Sequence, residues 1–315
     1  MKLLQSSLAV LGILCTVIWL GCGTDEEGGV NSFTIDRYLL STTTKIAFVS
    51  NREGNYDIYV MNADGTDVVN LTNHEADDFD PDWSPDGTKI AFVSHREGNY
   101  DIYVMNADGS TDAVSLTNHE ADDFDPDWSP DGTKIAFSRS NGKGGVDIYV
   151  MNTDGTNVVN ITKRGDVDFD PAWSPDGTKI AFSRSDSRTY SDIYVMNADG
   201  TDAVNITKNA EGNYEPDWSP NGQKIVFVSG RARDGRSVDD VYVMSADGTD
   251  IVNLTKRGAE AWGPAWSPNG NKIAFGSDHG GKFDIYVISP DGTGEVNLTN
   301  NPEHHDYFPA WGLIR

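Results

Sequence analysis

The motif that decides the fold is clearest in residues 80–93, which read Asp-Pro-Asp-Trp-Ser-Pro-Asp-Gly-Thr-Lys-Ile-Ala-Phe-Val. The central Ser-Pro-Asp-Gly is a turn, because proline presets φ and glycine accepts the positive φ that closes a hairpin. The Lys-Ile-Ala-Phe-Val run after it has the β-branched and aromatic residues of a strand. The motif therefore predicts two strands joined by a tight turn.

The motif returns at a nearly constant interval. Its tryptophans are spaced 45, 45, 45, 48 and 45 residues apart. They are Trp83, Trp128, Trp173, Trp218, Trp266 and Trp311. A sequence ending Tyr-Val-(Met/Ile)-x-x-Asp-Gly also occurs six times. Repeats of this length are typical of four-stranded propeller blades.

The predicted strands are apolar on both faces. Ile90, Ala91, Phe92 and Val93 follow one another without a polar residue between them. A strand buried on both sides has this pattern, whereas a strand of a two-layer sandwich alternates apolar and polar residues. The pattern favours a sheet packed between two other sheets.

The two ends of the repeat array complement each other. Residues 45–72 supply the second, third and fourth strands of a unit, and residues 309–315 supply a first strand with nothing after it. We therefore predict an all-β, six-bladed propeller with four antiparallel strands per blade. In this arrangement the C-terminal strand closes the ring, which removes open sheet edges.

The repeated Pro-(Asp/Ala)-Trp-Ser-Pro-(Asp/Asn)-Gly-x-Lys-Ile-(Ala/Val)-Phe resembles the WD40-like repeat of TolB-type propellers. The resemblance covers the chain from residue 45 onward and implies the propeller fold. It leaves the activity open, because similar blades occur in a periplasmic protein, in propellers attached to serine peptidases and in many surface proteins.

The N-terminal region has the features of a secreted lipoprotein. Residues 1–22 combine Lys2 with an uncharged apolar run over residues 8–20, which is too short to span a bilayer. The sequence Trp-Leu-Gly-Cys ending at Cys22 resembles a lipobox, which implies lipidation of Cys22. Residues 23–44 are then a polar linker and residues 45–315 the propeller. The alternative is ordinary secretion with an unmodified cysteine.

Composition excludes several classes of function. Lys and Arg number 24 against 49 Asp and Glu, and a net charge of −25 disfavours nucleic acid as a partner. Both cysteines, Cys15 and Cys22, lie in the leader, so the propeller has no disulfide, thiolate metal site or cysteine nucleophile. The units are near copies without a nucleophile elbow, phosphate loop or His-Glu-x-x-His motif, which argues against catalysis.

Candidate binding residues lie where the loops between repeats vary. The acidic connections that lead into each first strand share one end of the propeller with these variable loops, so their last residues are expected to rim the central channel. The candidates are Asp78, Asp80, Asp123, Asp125, Asp168, Asp170, Glu215, His304, His305 and Asp306.

Carboxylates that converge from neighbouring blades repel one another unless a cation lies among them. Two ligands fit this requirement: calcium, at Asp78, Asp123 and Asp168, or a basic protein segment. Charge reversal at these three aspartates is expected to weaken binding and leave the fold intact. The alternative is that they form turns before proline and are balanced by nearby arginines and lysines.

The sequence thus predicts a monomeric, noncatalytic β-propeller, lipid-anchored in the cell envelope at the outer membrane or periplasm. It binds a protein or peptide at the channel mouth, with a basic partner as one candidate, and it needs no cofactor apart from the calcium considered above. The alternative is a lactonase-like, metal-dependent hydrolase with an axial divalent cation, which His304, His305, Asp306 and the ring of carboxylates could serve.

Overall fold

The computed structural model describes residues 44–163, 166–185, 190–208, 211–233, 236–256 and 258–314. The predicted signal, Cys22 and the linker up to residue 43 lie outside these residues. The regular structure within them is β-strand. They include no helix long and apolar enough to cross a membrane.

The strands come in groups of four that follow the sequence repeat, and the first begins at Thr44, the last residue of the predicted linker. In chain order they are β1 (Thr44–Ser50), β2 (Asp57–Asn62), β3 (Val69–Asn70), β4 (Asp78–Trp83), β5 (Lys89–Ser94), β6 (Asp101–Asn106), β7 (Val114–Ser115), β8 (Asp123–Trp128), β9 (Lys134–Ser140), β10 (Val146–Asn152), β11 (Val159–Asn160), β12 (Val167–Trp173), β13 (Lys179–Ser185), β14 (Ser191–Asn197), β15 (Val204–Asn205), β16 (Gly212–Trp218), β17 (Lys224–Arg233), β18 (Arg236–Ser245), β19 (Val252–Asn253), β20 (Ala261–Trp266), β21 (Ile273–Ser277), β22 (Asp284–Ile288), β23 (Val296–Asn297) and β24 (Asp306–Leu313).

Antiparallel pairing joins each group into a four-stranded unit. The strands β4 to β7, β16 to β19 and β20 to β23 form separate sheets, while β8 to β11 and β12 to β15 are linked by a single parallel pairing of Val146 with Val167. The remaining sheet has the order β24-β1-β2-β3 and is numbered here as the first unit. The second to sixth units are then β4–β7, β8–β11, β12–β15, β16–β19 and β20–β23. The predicted all-β class with antiparallel sheets is therefore confirmed.

The sheet that contains both ends of the described chain is paired over most of its length. Lys45 lies opposite Gly312, and Ser50 lies opposite Asp306. The C-terminal strand β24 also contacts β20 and β4, the inner strands of the neighbouring units. The last strand of the chain thus completes the sheet that the first strand begins.

The core lies between adjacent units and not within any one of them. Phe92 and Ile90 of β5 are fully buried, and they share a cluster with Val49 and Ile58 from the preceding unit. Each unit therefore buries both faces of its middle strands against its neighbours, as the sequence pattern predicts. The outermost strands are only two residues long, and their valines are 47–62% exposed.

Each innermost strand carries a β-bulge. In the second unit the register with β5 shifts between Phe79 and Asp82. Within each of these strands the residue three positions before the repeat tryptophan has a positive φ, between 47° and 60°. These residues are Asp80, Asp125, Asp170, Glu215, Gly263 and Phe308. A bulge re-aims the side chain it contains, and this feature positions the site described below.

Candidate functional site

The innermost strands of all six units converge on one cavity of about 590 Å³, here called the inner-strand cavity. It is lined by all six bulge residues and by the proline and the residue before tryptophan that follow them in each unit. The sequence placed the channel mouth among these residues, and the structure brings Asp80, Asp125, Asp170 and Glu215 together there.

The lining is acidic on one side only. Four carboxylates lie at bulge positions, and three more, Asp82, Asp127 and Asp217, lie two residues further along their strands. The equivalent positions elsewhere hold Gly263 and Phe308, or alanine. None of the described lining residues is Lys, Arg or His. The cavity therefore presents negative charge opposite a neutral, partly aromatic wall.

Asp82, Asp127 and Asp217 each form a hydrogen bond to the neighbouring unit. The backbone N–H of Trp128 donates to Asp82 at 2.8 Å, and that of Trp173 donates to Asp127 at 2.6 Å. Asp217 accepts the N–H of Trp266 at 2.7 Å. Because each bond joins one repeat to the next, these three aspartates have a structural role as well as a charge.

Three of the bulge carboxylates are bonded in the same way. Asp125 accepts from Ser138 Oγ at 2.8 Å and from the N–H of Asp170 at 3.3 Å. Asp170 accepts from Ser183 Oγ and from the N–H of Glu215, each at 3.0 Å. Glu215 accepts the N–H of Gly263 at 2.6 Å. A hydrogen-bonded chain of carboxylates thus runs across three inter-unit boundaries.

Burial and mutual repulsion raise the pKa of these carboxyls. Burial raises the pKa of Asp82, Glu215 and Asp217 to about 7. The pKa values of Asp80 and Asp170 lie well above the ordinary range, because burial is reinforced by repulsion from Asp125 and Glu215. A cation in the cavity would lower these pKa values, so cation binding and deprotonation are coupled.

The raised pKa values predict a stabilising substitution. Asp127 has a pKa raised well above its usual value by burial and by repulsion from Asp82 and Asp217. Because the folded pKa exceeds the unfolded one, the folded state loses stability as pH rises and this carboxyl ionises. Asp127→Asn cannot ionise, yet its Oδ1 still accepts the Trp173 N–H. We expect a higher Tm than wild type at pH 8 and a smaller gain at pH 5.

Asp86→Asn is the matched control for that measurement. Hydrogen bonds from Ser84 and Thr88 lower the pKa of Asp86 to about 2, so it is ionised at both pH values. Any effect of Asp86→Asn on Tm should therefore be nearly the same at pH 5 and pH 8. An equal gain in Tm for Asp127→Asn at pH 5 and pH 8 would contradict the raised pKa that we assign to Asp127.

The other predicted aspartates are buried in ion pairs away from the cavity. Asp78, Asp123, Asp168 and Asp306 have fully buried side chains. Their partners are Arg96 at 2.8 Å, Arg139 at 2.6 Å, Arg184 at 2.6 Å and Arg52 at 2.9 Å, in that order. Each arginine also lies 4.8–5.4 Å from the centres of a Phe and a Tyr ring. We call this constellation of Asp, Arg, Phe and Tyr the arginine box.

Comparison of the repeats shows that the aspartate of the arginine box occurs together with its arginine. Asp123 lies directly opposite Arg139, and in the fifth unit the same two positions are Asn213 and Ser229, which are joined by a 2.8 Å hydrogen bond. The sixth unit has Ala261 there. The aspartate is present in the four units where an arginine of the same sheet pairs with it, and a neutral residue replaces it in the fifth and sixth units.

These ion pairs bear on two expectations from the sequence. Asp78, Asp123 and Asp168 each bond their own arginine, which does not favour a shared calcium site, and no group of three His, Cys, Asp or Glu among the described residues is arranged to hold a metal ion. Charge reversal at these positions would also bury like charges together, so it would not leave the fold intact.

His304, His305 and Asp306 likewise take separate roles. Asp306 is in the arginine box of the first sheet. His305 Nδ1 lies 3.4 Å from the N–H of Phe283, and its Nε2 lies 3.0 Å from Lys282 Nζ. Burial and the neighbouring Lys282 lower the pKa of His305. His304 is partly exposed, so the three side chains do not form a joint metal or catalytic centre.

Sequence reasoning missed a line of aromatic rings beside the cavity. Consecutive ring centroids lie 4.6–6.5 Å apart. In order these rings are Trp262, Phe283, Tyr307, Tyr56, Phe79, Tyr100 and Phe124. We call this set the aromatic arc. Phe79, Tyr100 and Phe124 also line the cavity. The sequence contained a signal for these rings, because in most repeats an aromatic residue directly follows or precedes the aspartate that begins a strand, as in Asp78-Phe79 and Tyr100-Asp101.

Comparisons with known proteins agree with this fold. The Tol-Pal system protein TolB of Geobacter sulfurreducens is 49% identical over 45 residues, which is 14% of this chain and 10% of that protein. The matched segment thus spans about a tenth of that relative's length. The crystal structure of TolB from Acinetobacter baumannii superposes with a TM-score of 0.72 at 24% identity, over 85% of this chain and 66% of that one.

The same fold also occurs in an enzyme. Kuenenia stuttgartiensis hydrazine synthase superposes with a TM-score of 0.71 at 21% identity, over 86% of this chain and 47% of that one. At this identity the likeness concerns the fold and leaves function open. Family membership rests on the sequence repeat itself. The family described as TolB beta propeller domain matches residues 40–140 and 111–238, which is more than half of the chain, and the protein belongs to this family.

Proposed function

We propose that this protein is a noncatalytic binding protein of the cell envelope. Its partner, a protein or peptide, docks at the inner-strand cavity and the aromatic arc. The observation that carries the proposal is the cavity itself, which is concave, of ligand size and lined by aromatic rings and prolines together with seven carboxylates. The names of relatives that belong to the Tol-Pal system support a role in a protein assembly.

The proposal includes a closed, six-bladed ring. Six four-stranded units follow one another, and β24 pairs with β1 while contacting β20 and β4. Such contacts on both sides of the last strand are what a ring requires. In a closed ring the six bulge residues surround one axis, which accounts for the single cavity that they line.

The noncatalytic role rests on how the cavity's groups are bonded. Most of its carboxylates accept backbone N–H groups from the next unit, so they are held as inter-unit links. Its described lining includes no Ser, Cys, Lys or His that could serve as a nucleophile or as a histidine base. The hydrolase alternative drew on His304, His305, Asp306 and the ring of carboxylates, and the separate contacts of the first three do not favour it.

Anchoring and location are part of the same proposal. Lipidation of Cys22 would hold a monomeric propeller at the outer membrane or periplasm, where a partner of the envelope is accessible. Replacing Cys22 with Ser in the full-length chain should move the protein from the membrane fraction to the soluble fraction. Unchanged fractionation would contradict the anchor without affecting the binding site.

Blocking the cavity should prevent capture. The chain from residue 23 contains no cysteine, so Tyr100→Cys gives a single thiol in the cavity lining. After reaction with a bulky maleimide, this variant should capture markedly less partner than the unlabelled variant in cross-linking pull-downs from envelope extract.

The control is Gln223→Cys with the same label. Gln223 is exposed and directly follows a Ser-Pro-Asn-Gly turn at the other end of its sheet. Labelling there should leave capture unchanged. If both labelled proteins capture partners equally, the site lies elsewhere.

A further inference from the structure

We infer that the inner-strand cavity receives an arginine side chain of the partner, whose guanidinium pairs with Asp80 and packs against Tyr100 and Phe124. The inference rests on the proposed function and names the chemistry of the partner. Three features of the chain support it: the bonding of Asp80, the rings around Asp80 and the arginine boxes elsewhere.

Asp80 differs from the other bulge carboxylates. Asp125 and Asp170 each accept a serine hydroxyl and a backbone N–H, and Glu215 accepts a backbone N–H. No hydrogen bond to the Asp80 carboxylate is present among the described residues. The position that holds Ser138 in the next unit is Val93 in the unit of Asp80. Asp80 is therefore the cavity carboxylate left for a ligand.

The surroundings of Asp80 suit a flat, delocalised cation. Phe79, Val93, Tyr100 and Phe124 line the cavity together with Asp80. Tyr100 lies between the other two rings, at 6.5 Å from Phe79 and 5.3 Å from Phe124. A guanidinium stacks on such rings and is more weakly hydrated than an ammonium group, so burial costs it less.

The chain itself shows which cation this combination holds. In each arginine box an aspartate and a Phe-Tyr pair surround one guanidinium, for example Asp123, Phe137 and Tyr149 around Arg139. Around Asp80 the same three residue types line an open cavity, and none of its described lining residues is a cation. The site has the composition of an arginine box without its arginine.

The test compares two peptides that differ in charge alone. The probes are acetyl-Phe-Arg-Ala-amide and the same peptide with citrulline, which keeps the shape of arginine but is neutral. Calorimetry at pH 8 with the chain from residue 23 should show the arginine peptide binding roughly tenfold more tightly, as a charge-assisted pair would give. Equal affinity for the two peptides would overturn the inference.

Asp80→Asn should remove the preference for arginine over citrulline. The matched control is Asp86→Asn, which makes the same charge change in an exposed turn where the fifth and sixth units carry Asn221 and Asn269. The control should keep the wild-type preference. If Asp80→Asn keeps it too, the assignment of Asp80 is wrong. Circular dichroism of both variants confirms that they are folded.

Calcium and lysine are the alternatives that the experiment separates. Heat of binding from calcium chloride that disappears in Asp80→Asn, without any peptide binding, would identify a metal site and overturn the inference. A lysine peptide that binds as tightly as the arginine peptide would overturn the choice of guanidinium. If no peptide binds but labelled Tyr100→Cys still blocks capture, arginine recognition fails and the proposed function stands.

Discussion

Removing residues 309–315 is expected to abolish cooperative folding. These residues include Ala310 and Trp311, which are 9% and 8% exposed, and most of the strand that covers β1. Loss of a buried Trp side chain alone costs about 3–5 kcal/mol, and the total stability of a domain is about 5–15 kcal/mol. The deletion also exposes the hydrogen-bonding edge of β1, a template for aggregation.

The measurement is thermal and urea unfolding followed by circular dichroism. Deletion of residues 314–315 is the control, since Ile314 is 41% exposed and lies after the last strand. The control should unfold nearly as the full chain does. A transition at the wild-type Tm in the longer deletion would show that β24 is dispensable and would remove the support for a closed ring.

Breaking one arginine box is expected to be nearly as damaging. In Asp123→Asn the guanidinium of Arg139 stays buried against Phe137 and Tyr149 without its counter-charge. Removing one partner of a buried ion pair typically costs about 3–5 kcal/mol, because the remaining charge has lost its solvation and its partner. Urea unfolding should show a correspondingly lower midpoint for Asp123→Asn.

The fifth unit supplies the compensating change. Asn213 and Ser229 occupy the positions of Asp123 and Arg139, and they bond each other at 2.8 Å. The double variant Asp123→Asn with Arg139→Ser should therefore be more stable than either single variant. Some loss should remain, because the serine leaves the ring pair of the third unit without its guanidinium. A double variant as unstable as the sum of the singles would show that the pair is not coupled.

Much of the fold could be predicted from the sequence because its signals are local. Turn residues and apolar runs recur in every repeat, and the strand predicted over the Lys-Ile-Ala-Phe-Val run lies within β5 (Lys89–Ser94). The predicted complementarity of the chain ends appears as the pairing of β24 with β1. Periodicity fixes such features, since each depends on residues close together in the chain.

The candidate site was predicted only in part. Asp78 and Asp80 are two residues apart in one acidic connection, and sequence alone gave them the same role. The bulge separates them: Asp80 lines the cavity, whereas Asp78 is buried beside Arg96. Residue type could not reveal this, because the bulge position is occupied by Asp, Glu, Gly or Phe in different units.

The sequence by itself determined the repeat, the strands, their order within each unit and the acidic character of the connections. Only the tertiary structure decided which carboxylates are neutralised, which line the inner-strand cavity, and that rings from separate repeats form the aromatic arc. The reason is physical: a turn or strand follows from neighbouring residues, whereas the environment of a charge depends on groups that folding brings from distant repeats.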